Sequence, residues 1–105
     1  MVRRYDVVLI NLDPTVGAEA QKTRPCVVIS SDDMNEALRT IIIAPMTSTI
    51  RGWKFRPLVS GPDNKSELAI DQLRTVDKSR VIKTLGHLTK ADQNSVYEII
   101  NALFL

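Results

Sequence analysis

DPTVGAEAQKTRPCVVIS, residues Asp13 to Ser30, decides how this chain is read. It leaves the apolar run Tyr5–Leu12, crosses a polar stretch that collects Gly17, Glu19, Lys22 and Arg24, and enters a second apolar run right after Pro25. Two β-branched runs joined by such a stretch predict two strands and a surface loop, and a loop held between rigid strands is where binding and catalytic groups usually sit. Cys26–Ile29 is apolar without alternation, which predicts a strand buried on both faces.

Working outward, YDVVLINL over Tyr5–Leu12 is closed by the turn formers Asn11, Asp13 and Pro14. Asp32, Asp33 and Asn35 can cap a short helical turn through Leu38. Thr40–Ala44 predicts a third strand that Pro45 ends, followed by the polar run Thr47–Thr49. Leu58 and Val59 resume strand character, Ser60–Ser66 reads as a loop, Glu67–Thr75 as one further strand and Val81–Leu88 as another. The end differs: Thr89 and Asp92 form a capping-box pattern, and Val96, Ile99, Ile100 and Leu103 fall on one helical face. Short strands with a terminal helix predict a mainly β protein with a C-terminal α-helix, a small and mostly antiparallel barrel, in a single domain spanning all 105 residues.

Charge and composition narrow the function. Fourteen Lys and Arg against twelve Asp and Glu leave +2, too little to indicate nucleic-acid binding by net charge. All fourteen cations lie between Arg3 and Lys90, so any positive surface belongs to the main body. Cys26 is the only cysteine, which excludes an internal disulfide and a cysteine-built metal site and fits a small buried hydrophobe. Neither a membrane-length apolar run nor a signal-peptide core is present, and the expectation is a cytoplasmic protein without membrane contact. A single His87 cannot form a His acid–base pair, and no GxSxG or HxxxH pattern occurs.

What remains is chemistry by Arg, hydroxyls, carboxylates and backbone amides. Arg24 can present a planar fork to phosphate oxygens, with Thr47 and Ser48 donating to the same group. The residues alone also allow Arg24 as a surface cation or in an ion pair with Glu19, and Thr47–Thr49 as a plain polar loop. In RGWKFR, Arg51 to Arg56, cations could follow a nucleic-acid backbone while Trp53 and Phe55 stack on bases; the competing reading turns those rings into the core.

Taken together, Asp13-Pro14-Thr15 with Gly17 and Glu19, Thr23-Arg24-Pro25 running into Val27–Ser30, Ala44–Ser48 and Asp71–Asp77 resemble, in family order, the MazF/PemK toxin endoribonucleases (mRNA interferases) of type II toxin–antitoxin systems. The resemblance covers essentially the whole chain. It implies an SH3-like barrel, a homodimer, and metal-independent, cofactor-free cutting of single-stranded RNA at short sequences, which blocks translation. It also implies a cognate antitoxin whose acidic, flexible tail fills the RNA groove. Carried over by motif, Arg24 and Thr47 are the catalytic candidates. Glu19, Ser48, Phe55, Asp71 and Gln72 follow as supporting or RNA-binding candidates, joined by Lys22, Arg51 and Trp53 from the reading above.

One branch of that family carries Arg two positions before the Asp of the DQ segment; here that position is Ala69, so Asp71 lacks that partner. The expected reaction is in-line attack of an RNA 2′-hydroxyl on the adjacent phosphate, giving a 2′,3′-cyclic phosphate and a 5′-hydroxyl. The competing expectations are a CcdB-like gyrase-binding toxin without nuclease activity and an inactive nucleic-acid-binding barrel.

Overall fold

A computed structural model describes residues 1–104. Seven strands and two α-helices follow in the order β1 (Asp6–Asn11), β2 (Thr23–Val28), α1 (Asp32–Ala37), β3 (Thr40–Thr47), β4 (Leu58–Ser60), β5 (Lys65–Leu68), β6 (Arg74–Asp77), β7 (Val81–His87) and α2 (Lys90–Phe104), with single 3₁₀ turns at Ile70–Gln72 and Lys78–Arg80. All pairings are antiparallel, and the path β4-β5-β3-β2-β1-β7 curls into an open, SH3-like half-barrel, with β6 also on β3.

The apolar runs form strands because both faces of the central sheet are covered. Val7 and Val27 face one core with Ala44, Met46 and Leu68, while Val8, Ile10, Cys26 and Val28 face a second core with Ile41 and Ile43. Helix α2 closes the first core through Val96, which is fully buried, with Ile99 and Ile100 packed partly against it. Leu103, expected on the same stripe, is instead exposed, as are Tyr97 and Phe104. The apolar end read from the sequence includes Leu105, which lies outside the described residues.

Several boundaries move for physical reasons. Strand β2 starts at Thr23, so Pro25 lies within it, paired with Leu9. Pro45 does not end β3, which runs on to Thr47. The Pro45 carbonyl accepts from Ala69 N, so the missing N–H would have faced the same side, where β3 passes from β6 to β5 and no ladder is required. Glu67–Thr75 is therefore two strands broken by the Ile70–Gln72 turn; Ile70 is buried inside that turn, and its apolar side chain imitates strand alternation.

At α1 the capping residue is Ser31, whose Oγ accepts from Met34 N, while Asp32 holds Arg3 and Arg4, and Asn35 is buried against Ser30. At α2 only half of the capping box forms. Thr89 Oγ1 accepts from Asp92 N at 3.2 Å, but the Asp92 carboxylate takes Ser60 N at 2.9 Å and ties the helix to β4.

Candidate nucleic-acid interface

The β1–β2 loop is closed at its neck. Leu12 N donates to Lys22 O at 3.0 Å, Lys22 N donates to Asp13 Oδ1 at 2.9 Å, and Arg80 Nη1 bonds the carbonyls of Asn11 and Asp13. Lys22 adopts a left-handed φ of 66° there. Within the loop Glu19 Oε1 accepts from Val16 N at 2.6 Å, so Glu19 folds back on its own loop and forms no ion pair with Arg24.

Register brings the two catalytic candidates together. Cys26 faces Pro45 and Val27 faces Ala44, and extending that register by two residues sets Arg24 across from Thr47. Arg24 is half-buried, its Nε donating to Gln21 O at 3.2 Å and its Nη1 lying 3.5 Å from Met46 O. Among the described residues it has no carboxylate within ion-pair distance, so its charge is held by carbonyls rather than neutralised. Thr47 is partly exposed, its Oγ1 accepting from Thr49 N, and Ser48 and Thr49 are exposed beside it.

Three adjoining depressions share lining residues and form one groove: Glu19, Ala20 and Asp71–Arg74 at one end, Arg24, Thr47 and Arg56 in the middle, and Ser48, Thr49 and Asn64 at the other. Lys22 lines the last part. Cys26 lies directly behind Arg24; burial pushes its thiol up to about 12, against the opposing pull of the Arg24 and Arg74 charges, which leaves a packed residue and no nucleophile.

Asp71 and Gln72 are already engaged with protein. Gln72 Oε1 accepts from Ala20 N in the β1–β2 loop at 2.5 Å. Asp71 receives both arms of Arg56, at 2.9 and 3.0 Å. The partner that Ala69 fails to supply therefore comes from fifteen residues upstream. The Arg56 hydrogen bonds hold the Asp71 carboxyl below the ordinary carboxylate value, so it stays ionised, and the carboxylate pushes the Arg56 guanidinium up in turn.

Arg51–Arg56 is a loop rather than a strand flank, and its rings are not in the core. Trp53 and Phe55 are exposed and stack on each other with centroids 5.4 Å apart, and Arg51 and Arg56 lie over Trp53 at 5.0 and 4.9 Å. Arg51 and Trp53 do not line the Arg24 groove; Phe55 lines a neighbouring apolar hollow with Ile70, Leu73, Leu103 and Phe104, and Asp71 borders both. The loop's other end is fixed by Glu67, a buried carboxylate whose Oε2 accepts from Arg51 N and Gly52 N at 2.9 and 2.8 Å.

The sequence model of PemK-like, MazF-like toxins of type II toxin–antitoxin systems matches residues 3–104. The chain belongs to this family. Similar MazF-type folds include a MazF from Deinococcus radiodurans (TM-score 0.85, 22% identity, covering 97% of this chain and 94% of that one). A mycobacterial endoribonuclease solved with its cognate antitoxin matches at TM-score 0.84 and 20% identity, covering 100% and 97%. The Mycobacterium tuberculosis toxin MazF-mt6 matches at 0.80 and 22%, covering 94% and 95%.

Within this MazF-type fold, the sequence reading missed two participants. Arg56 was visible only as one cation of RGWKFR, and the absence of Arg at position 69 was the signal that Asp71 needed another partner. Glu67 carries no such signal, because a Glu in a short strand ordinarily faces water. Among the described residues no group of three His, Cys, Asp or Glu side chains is placed to hold a metal ion, and no helix is long and apolar enough to cross a membrane.

Proposed function

We propose that this toxin is an endoribonuclease that cuts single-stranded RNA, mRNA included, at short sequences without a metal or cofactor, and that a cognate antitoxin inhibits it by laying an acidic, flexible tail in the same groove. The observation that carries the reading is an un-neutralised, half-buried Arg24 across from Thr47 in an open groove. Of the five N–H donors of a guanidinium, Arg24 uses one on Gln21 O and a second, loosely, on Met46 O, leaving the others for a phosphate.

In the proposed reaction the RNA 2′-oxygen forms a bond to the adjacent phosphorus while the bond from phosphorus to the 5′-oxygen breaks. The products are a 2′,3′-cyclic phosphate and a 5′-hydroxyl; one proton leaves the 2′-hydroxyl and one is delivered to the departing 5′-oxygen. Arg24 holds the phosphate and stabilises the charge that builds on its oxygens, Thr47 hydrogen-bonds one of them, and Ser48 and Lys22 extend contact along the backbone. Asp71, committed to Arg56 and kept ionised, supports the groove rather than donating a proton. The exposed Leu103 and Phe104 support a homodimer, which light scattering at micromolar concentration checks.

The test is a matched pair of RNA oligonucleotides, one carrying a single 2′-deoxy substitution at the cleavage site, incubated with and without EDTA. Cutting of the all-ribose strand in EDTA and none of the substituted strand is expected. Cleavage that survives the deoxy substitution removes the mechanism, and no cleavage of any long RNA removes the activity in favour of a binding toxin.

A further inference from the structure

The Ile70–Gln72 turn projects two neighbouring side chains in two directions, and each is tied to a different loop. Gln72 takes the amide of Ala20 in the β1–β2 loop, and Asp71 takes the fork of Arg56 in the Arg51–Arg56 loop. The turn itself is fixed: Ile70 is buried in the first core, Ala69 N bonds Pro45 O, and Gln72 N and Leu73 N bond back to Ala69 and Ile70. Two loops that flank Arg24 and Thr47 are therefore referenced to one rigid point.

We infer that Arg56 is a positioning residue for RNA binding. It acts through Asp71 to set the stacked Trp53–Phe55 pair beside the Arg24–Thr47 groove, across Asp71 from it, with Glu67 fixing the opposite end of the same loop. This rests on the RNA-cleaving reading above.

Three features separate this role from direct contact with substrate. The Arg56 side chain is only 12% exposed, against 35% for its partner Asp71. Its Nε and Nη2 are held by the carboxylate, and its flat face lies on Trp53 at 4.9 Å. A guanidinium held along one edge by a carboxylate and on its face by a ring is fixed in place, unlike a free surface cation.

Glu67 adds an independent sign of preorganisation. It is 1% exposed, its Oε1 has no hydrogen-bond partner, and its Oε2 serves only the Arg51 and Gly52 amides. Burying a carboxylate with one oxygen unanswered is unfavourable for the fold, and what it secures is the position of the aromatic loop. A platform held at both ends before substrate arrives avoids the cost of ordering it on binding.

The experiment compares wild type, Arg56→Ala and Arg56→Lys in three measurements: kcat and KM on a cleavable RNA, affinity for the same RNA with the 2′-deoxy substitution, and emission of Trp53, the only tryptophan. For Arg56→Ala the expected result is KM raised by about tenfold or more with kcat within about threefold, and a matching loss of affinity for the deoxy strand. Trp53 emission should shift in the free protein. Arg56→Lys keeps the charge without the fork and should recover less than half of the lost affinity on a logarithmic scale.

A lowered kcat with unchanged KM and unchanged deoxy-RNA affinity overturns the inference, because Arg56 would then act in the transition state. Unchanged values throughout overturn it as well. Wild type that neither binds nor cuts RNA overturns the RNA reading and this inference with it, an outcome distinguishable from the others in the wild-type lane alone.

Discussion

Replacing Arg24 by alanine should separate activity from stability. For stability, Arg24 contributes one carbonyl hydrogen bond at 3.2 Å and a looser one at 3.5 Å from a half-buried position, with no ion pair. Such contacts are together worth about 1 kcal/mol or less. For catalysis, the reacting phosphate gains close to one additional negative charge in the transition state. A unit charge 4 Å away interacts with that increment by about 4 kcal/mol at an effective dielectric constant of 20. Water in an open groove reduces this to about 3 kcal/mol, which corresponds to roughly a hundredfold in kcat. The assay is initial-rate cleavage of a fluorogenic oligonucleotide beside a urea melt of the same preparation. A variant that melts with wild type yet retains kcat within about threefold would refute Arg24 as the group that stabilises the phosphate. Arg24→Lys should fall between the two, since an ammonium supplies the charge without the fork.

Three further outcomes follow from the same geometry. Val96→Ala removes two methyl groups from the one fully buried position of α2 and should cost about 2 kcal/mol in urea unfolding, with KM little changed while the fold persists. Because the folded pKa of Asp71 lies below its ordinary 3.8, its stabilising contribution is complete above that value and is lost as pH falls through the lower folded value. Trp53 emission should accordingly stay flat through the neutral range down to about pH 4.5 and change only in stronger acid. Cys26, with its thiol pushed up to about 12 behind Arg24, should resist iodoacetamide at pH 8 in the native protein and react once urea unfolds it; rapid native labelling would contradict that burial.

How much of this was legible in the sequence depended on whether the relevant contact was local. β1 and β2 were, because a strand covered on both faces must be apolar throughout, and Val7–Val8 and Cys26–Val28 are. The pairing of Arg24 with Thr47 was legible once the resemblance marked both, and the β2–β3 register then supplied the proximity. Pro45 misled because its missing donor matters only on the side of the strand that bonds, and nothing local says which side that is. The break at Ile70–Gln72 was hidden because a buried isoleucine in a 3₁₀ turn resembles one in a strand. Outside the core, Trp53 lies under Arg51 and Arg56 with Phe55 stacked on it, an arrangement that depends on Glu67 and Asp71 more than ten residues away.

The closed neck of the β1–β2 loop has a consequence for how such a protein can change. Leu12, Asp13 and Lys22 bind one another at the base, and Arg74 and Arg80 secure the carbonyls of Leu12, Asn11 and Asp13 from β6 and the turn beyond it. The sheet therefore registers the two ends of the loop, Gln72 holds Ala20 on its return, and little holds the tip, where Val16 is 80% exposed. Lengthening such a closed loop is inexpensive, about 0.6 kcal/mol for each doubling. Residues 14–18, ahead of the Ala20–Gln72 tie, thus behave as an exchangeable cartridge: their sequence and length can drift while the strands that hold Arg24 opposite Thr47 keep their register.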